Sequence, residues 1–355
     1  MNAGALGATQ SVVAIGEMRQ FARDDVHFVA QDGTEWLKTG FITQDFESFP
    51  TAYLHKTLFF ENYATPKKVV GAYSKELGMW VMLSTNQYSP NNVFISRNDC
   101  KTHTAITASL NILAKDVIWS SHHHKFFAIG QTTFILESSD GENWTSVETT
   151  LSSNAHCITE GKNGRLIVSY HNYIAYSDDG GETFVKSSTV GLSTFAIYTL
   201  LNAGPLGIYA FTSSGILRSQ DNGQTFLKVS TLQRQAAVYS ERLGAIVCAG
   251  TYVITHCIDG DKFFDVSGTP GGQKLSFSNI IENGTDFFAS SSSHVFHSQD
   301  GVNFVVKDGA SSSVKLVTSD NAIVSFGANE TYVSQLWYKY IGWAESLPST
   351  YVRIK

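Results

Sequence analysis

Along most of this chain, apolar and polar residues alternate for five or six positions and then give way to Gly, Asn, Asp and Ser. RLIVSY (165–170), YIAYS (173–177), GIYAFTS (207–213), GAIVCAG (244–250) and DFFASSS (286–292) are examples. A period of two places successive side chains on opposite faces, so these runs predict β-strands joined by short hairpins.

The turns between the strands repeat a phrase. It reads SSDGENW at 138–144, YSDDGGETF at 176–184, SQDNGQTF at 219–226, CIDGDKF at 257–263 and SQDGVNF at 298–304. A worn copy, SRNDCKTH, puts Asn98 in the acidic slot. The positions 98, 140, 179, 221, 259 and 300 are separated by 42, 39, 42, 38 and 41 residues. About forty residues holding four short strands is the size of one propeller blade. Asp140, Asp179, Asp221, Asp259 and Asp300 are expected to accept hydrogen bonds from backbone N–H groups of their own turns. Gly180 and Gly223 can take the positive φ that such a turn demands. Trp144, Phe184, Phe226, Phe263 and Phe304 are expected to plug the gaps between neighbouring blades. The copies at Asp140, Asp259 and Asp300 are one residue shorter between Asp and Gly, which predicts tighter turns.

These residues resemble the Asp box, S-x-D-x-G-x-x-W/F, of sialidases and related β-propellers. The resemblance implies a scaffolding role on the turn between the third and fourth strands of each blade. The expected fold is an all-β, seven-bladed propeller over about 66–343, with six blades as the alternative. Blade one reads VVGAY, MWVMLS, NVFIS and HTAIT; the last lacks a box but keeps AIVSF, TYVSQ and WYKYI. TAYLHKTLFF (51–60) is a further strand candidate with no assigned partner.

Residues 1–50 do not follow the repeat, which divides the chain into an N-terminal segment (1–50) and a propeller (51–355). AQDGTEW (30–36) mimics the short box out of register. GEMRQFA, QDGTEWLKTG and the closing STYVRIK are similar to short modules of bacteriophage tail proteins. That resemblance implies a virion tail protein, made in the host cytoplasm, whose N-terminal segment attaches or oligomerises it.

Charged residues are only 16% of the chain and the formal charge is −6, with no basic stripe. Neither a nucleic-acid partner nor membrane insertion is expected. The N-terminus has no cationic start with a long apolar core, so no signal peptide is predicted. Cys100, Cys157, Cys248 and Cys257 have no metal-ligand spacing and read as free thiols. Adjacent strand residues point to opposite faces, so His122-His123-His124 cannot converge on one ion; no metal and no cofactor is expected.

Ligands are expected on the face opposite the box turns, where loops vary on a rigid scaffold. The acids assigned there, Asp116, Glu148, Asp308 and Glu330, are scattered, and a glycosidase needs two carboxylates a few ångströms apart. The early R-I-P type motif of sialidases is missing, and Arg97, Arg165, Arg218, Arg234 and Arg242 do not replace it. The same loops carry rings and neutral hydrogen bonders suited to sugars: Asn86, Gln87 and Tyr88; Tyr170, His171, Asn172 and Tyr173; Arg234; and Tyr252. The functional expectation is a non-enzymatic binder of a host surface receptor, a glycan, acting with other virion tail proteins as a homo-oligomer. A propeller glycoside hydrolase or lyase and a structural hub are the alternatives.

Overall fold

The computed structural model describes residues 69–318 with gaps at 85–92, 99, 101, 107–109, 111, 152–153, 171, 192–194, 251–252, 269–276, 285, 292–294 and 309–312. It also describes strand backbone at 18–21, 27–29, 35–38, 55–58, 322–327, 330–335 and 349–353. The chain forms two compact units, Met1–Thr51 with Leu336–Lys355, and Ala52–Gln335.

In the first unit, Ser349–Arg353 lies between Met18–Phe21 and Glu35–Lys38, antiparallel to both, and His27–Val29 completes the sheet. The C-terminal strand therefore belongs with the N-terminal segment. This corrects the boundary that placed everything after residue 50 in the propeller. The out-of-register AQDGTEW spans the connection between His27–Val29 and Glu35–Lys38.

The second unit is an all-β propeller; its described residues include no α-helix. Six sheets are each built from one continuous run: 69–106, 114–148, 155–186, 197–230, 236–268 and 277–308, called sheets 1 to 6 below. A further sheet is composite. Ser313–Thr318, Ala322–Gly327 and Glu330–Gln335 take His55–Leu58 as their outer strand, with Glu330 opposite Leu58. TAYLHKTLFF thus supplies a strand to the last sheet. The first strands pack side by side in chain order, from Val69–Ser74 through Ala114–Ser120, Ala155–Glu160, Ile197–Asn202, Ala236–Ser240 and Phe277–Glu282 to Ser313–Thr318, which lies against Val69–Ser74. This closure leaves no inner sheet edge open. Sheet 4 gains a fifth strand, because the link Ser188–Val190 runs parallel to Thr225–Leu227. WYKYI lies outside the described residues.

The repeated phrases occupy the turns between third and fourth strands. In the shorter copies the carboxylate closes on nearby donors: Asp140 accepts from the backbone of Glu142 (2.8 Å) and Asn143 (2.7 Å), and Asp300 from Val302 and Asn303 (2.8 Å each). In the longer copies the extra residue moves the capture one position on, so Asp179 accepts from Thr183 N (2.9 Å) and Asp221 from Thr225 N (2.8 Å). The preceding serine hydroxyl donates to the carboxylate and accepts the glycine N–H, as with Ser219, Asp221 and Gly223 at 2.7 and 2.8 Å. Gly223 has φ +90°, and a Cβ there would sit 2.7 Å from Ile167 Cδ1 of sheet 3. The turn therefore needs glycine twice over, for conformation and for close approach. Three box glycine carbonyls also accept a bond from the preceding sheet or the link that leaves it: Gly223 from Ser187 Oγ (2.6 Å), Gly260 from Tyr209 OH (2.8 Å) and Gly301 from His256 Nε2 (2.9 Å).

The core lies between sheets. Phe226 packs with Ile167 and Ile174 of sheet 3, and Phe304 with Val247 and Ile254 of sheet 5. Both rings are buried, while Trp144, Phe184 and Phe263 are half-buried at the equivalent seams. The ring positions expected to plug the seams all reach them, but not to equal depth.

Candidate ligand-binding site at the channel mouth

Turns between first and second strands share one end of the propeller with the box turns. First strands begin at the opposite end, beside the turns between second and third strands. The second residue of four described first strands there is exposed: Lys115, His156, Tyr198 and Ser278. All four sit at register irregularities. Gly130 pairs with Ala114 while Ile129 pairs with Asp116, so Lys115 is the extra residue. His156, Tyr198 and Ser278 are skipped in the same way. A bulge bends the strand and re-aims the extra side chain, and such bulges concentrate at barrel rims and beside functional sites. Opposite the first of them, a Cβ on Gly130 would lie 2.2 Å from Leu113 O, so the incoming link packs directly on backbone.

The residues after three of these bulges tie neighbouring sheets together. Asp116 accepts from Val117 N (3.0 Å) and, in sheet 3, from Ile158 N (3.2 Å). Cys157 Sγ reaches Tyr198 O of sheet 4 at 3.4 Å, and Thr199 Oγ1 donates to Gln235 O ahead of sheet 5 at 3.1 Å. Neighbouring first strands share no ladder, so these side chains supply hydrogen bonds from one sheet to the next. Asp116, counted as a far-face acid from sequence, is a fastener.

Tyr170 and Tyr173 face each other across a two-residue turn of sheet 3, with ring centroids 5.7 Å apart. Tyr170 is buried and Tyr173 is 38% exposed. Burial, and secondly the neighbouring Tyr173, push the Tyr170 phenol up from its usual range. Lys186 Nζ stands 3.4 Å from the centroid of the Tyr173 ring, a cation–π contact. Asn172 is half-buried in the same turn. Arg234 is placed differently from the free loop arginine expected. It is buried, donating to Thr255 Oγ1 (2.6 Å), Gln233 O (2.9 Å) and Asp265 Oδ1 (2.7 Å), and so clamps the incoming link to sheet 5. Asn86, Gln87, Tyr88, His171 and Tyr252 lie outside the described residues.

The other end of the propeller is architectural. His124 Nδ1 lies 2.9 Å from Glu76 of sheet 1, and His123 Nε2 2.7 Å from Gly164 O of sheet 3, so the histidine run spans three sheets. No cluster of potential metal ligands occurs among the described residues. A cavity of about 380 Å³ lies here between sheets 3 and 4, lined by Lys162, Asn202, Asp221 and Asn222 among others. Its polar groups bind one another, as Asn222 does with both backbone atoms of Lys162 (2.8 and 3.0 Å). That makes it a bonded crevice.

Fold and site together define a β-propeller with a polar, aromatic mouth. Neither protein-family models nor curated proteins match the sequence. Solved structures do match. A catalytically inactive virginiamycin B lyase from Staphylococcus aureus, with quinupristin, shares 11% identity at a TM-score of 0.66, covering 80% of this chain and 99% of that one. YCF48 bound to D1 peptide shares 12% at 0.61, covering 79% and 94%. The extracellular domain of the one component system BT4673 from B. thetaiotaomicron shares 9% at 0.62, covering 86% and 46%. At these identities the likeness is one of fold.

Proposed function

We propose that this chain is a bacteriophage tail or tail-tip protein whose propeller binds a glycan receptor on the host surface without cleaving it. The observation that carries this reading is the far-end mouth, where Lys115, His156 and Tyr198 emerge from three successive sheets at the same end as the exposed ring of Tyr173. Rings that stack on sugar faces, with single donors for hydroxyl groups, are the means by which proteins hold glycans with little net charge. In this reading the propeller has seven blades of the Asp-box type. The six continuous sheets plus the composite one support that count, and the serine–aspartate–glycine bonding of the turns supports the type.

The first unit attaches the chain to other virion tail proteins as part of a homo-oligomer. Display of several copies multiplies weak single-site binding. Neither nucleic acid nor membrane insertion enters this reading. The test is incubation of the full chain with surface polysaccharide from candidate hosts. Retention without shortening of the polysaccharide, weakened by Tyr173→Ala and Tyr198→Ala, is the expected result. Shortening assigns a glycoside hydrolase or lyase. Entry into a tail subassembly with no retention on any host surface assigns a structural hub.

A further inference from the structure

Resting on that recognition reading, we propose that the channel mouth across sheets 2 to 4 binds the phosphate groups of a phosphorylated surface polysaccharide. The donors are Lys115, His156 and Tyr198, each the second residue of its strand and each at a bulge. The three strands are tied edge to edge at this level by the Asp116–Ile158 and Cys157–Tyr198 bonds of 3.2 and 3.4 Å, so the bulged residues stand on neighbouring strands at one level of the ring.

The choice of anion follows from donor geometry. A planar carboxylate is best met by the two parallel N–H bonds of an arginine fork. Arg234, the arginine carried by a link at this end, has its guanidinium committed to Thr255, Gln233 and Asp265. An ammonium, an imidazole and a phenol each offer a point contact. Point donors suit the spread oxygens of a tetrahedral phosphate ester better than they suit a planar carboxylate, and the Tyr198 ring is left as a platform for the attached sugar. Asp116 is the carboxylate nearest in sequence, and its oxygens are engaged by two backbone N–H groups. The chain carries a net −6, so a polyanion gains nothing from overall charge and must be held locally.

The experiment passes the full chain over three surfaces of one backbone: dextran, carboxymethyl dextran and dextran phosphate, the latter two at equal charge density. The expected result is retention on dextran phosphate alone. Lys115→Gln and Tyr198→Phe should each weaken it about tenfold, the effect of one charge-assisted hydrogen bond. Lys162→Gln, at the opposite end, should leave it unchanged, and thermal unfolding confirms that the variants fold. Equal retention on carboxymethyl dextran overturns the phosphate assignment, as does indifference to Lys115→Gln. Absence of retention on dextran phosphate also overturns it. In that case, adsorption of the same protein to host cells leaves the recognition reading standing, and no adsorption removes both.

Discussion

Replacing the box aromatics one at a time should give graded losses of stability, although their positions in the repeat are equivalent. Phe226 is fully buried, and Phe304 is 1% exposed with its ring 6.2 Å from that of Phe277. Truncating either to Ala removes the burial energy of the ring and leaves a cavity between two sheets, costing about 3–5 kcal/mol. Phe184 is half-buried at the rim of its seam. It forfeits about half the transfer energy of a buried aromatic, about 1 kcal/mol, and water fills the space it leaves. At about 2 °C of Tm per kcal/mol for a unit of this size, Phe226→Ala and Phe304→Ala should melt about 8 °C below the parent and Phe184→Ala about 2 °C below. Calorimetry, with urea unfolding to check that the m-value is unchanged, reads the difference. Equal losses at all three positions, or a larger loss at Phe184, would refute the argument that seam depth sets the cost.

Acid should loosen the box turns. Burial works to raise the Asp140 carboxyl, but the combined bonds from Asn143, Glu142 and Ser138 outweigh it and bring the pKa down to about 2; at Asp179 burial is likewise outweighed by bonds from Thr183 and Ser177, and the pKa is lowered to about 2. A depressed folded pKa gives stability that is complete above the unfolded value of 3.8 and is lost as pH falls towards 2. Asp140→Asn should therefore flatten the unfolding temperature between pH 4 and 2 relative to the parent, by less than the shift alone implies because the group is exposed. The thiols should react in order of burial: Cys157 is half-exposed, whereas burial pushes Cys257 up to about 11 and Cys248 higher still, so mass spectrometry after brief alkylation at pH 8 should find Cys157 modified and the other two intact. Arg234→Ala should cost at least about 2 kcal/mol by urea unfolding, because it breaks three hydrogen bonds of a buried cation. Tyr173→Ala, at an exposed ring, should stay within about 1 kcal/mol while weakening glycan retention.

The repeat was legible because its turns demand particular residues. A carboxylate must cap backbone N–H groups, a glycine must tolerate both positive φ and a neighbouring sheet, and a ring must fill the seam. Those requirements survive in Asp221, Gly223 and Phe226 as letters. The composite sheet was less legible because His55–Leu58 and Glu330–Gln335 are far apart in the chain, and their pairing is a matter of closure. The bulged residues of the channel mouth were not legible for another reason. A bulge is a change of register and has no residue signature of its own, so Lys115, His156 and Tyr198 share no side-chain type. Counting back from the box would have found them: they precede Asp140, Asp179 and Asp221 by 25, 23 and 23 residues. Arg234 was misjudged because a link residue reads as solvated until its partners, Thr255 and Asp265, are brought beside it by the strands that follow.

The most direct measurement is hydroxyl-radical footprinting of the full chain with and without a retained host polysaccharide. Protection concentrated on Tyr173, Tyr198 and His156, with Trp144 and Phe263 unchanged, is the predicted pattern. Protection of the box-turn aromatics instead, or no protection at the channel mouth while the polysaccharide is bound, would contradict the account.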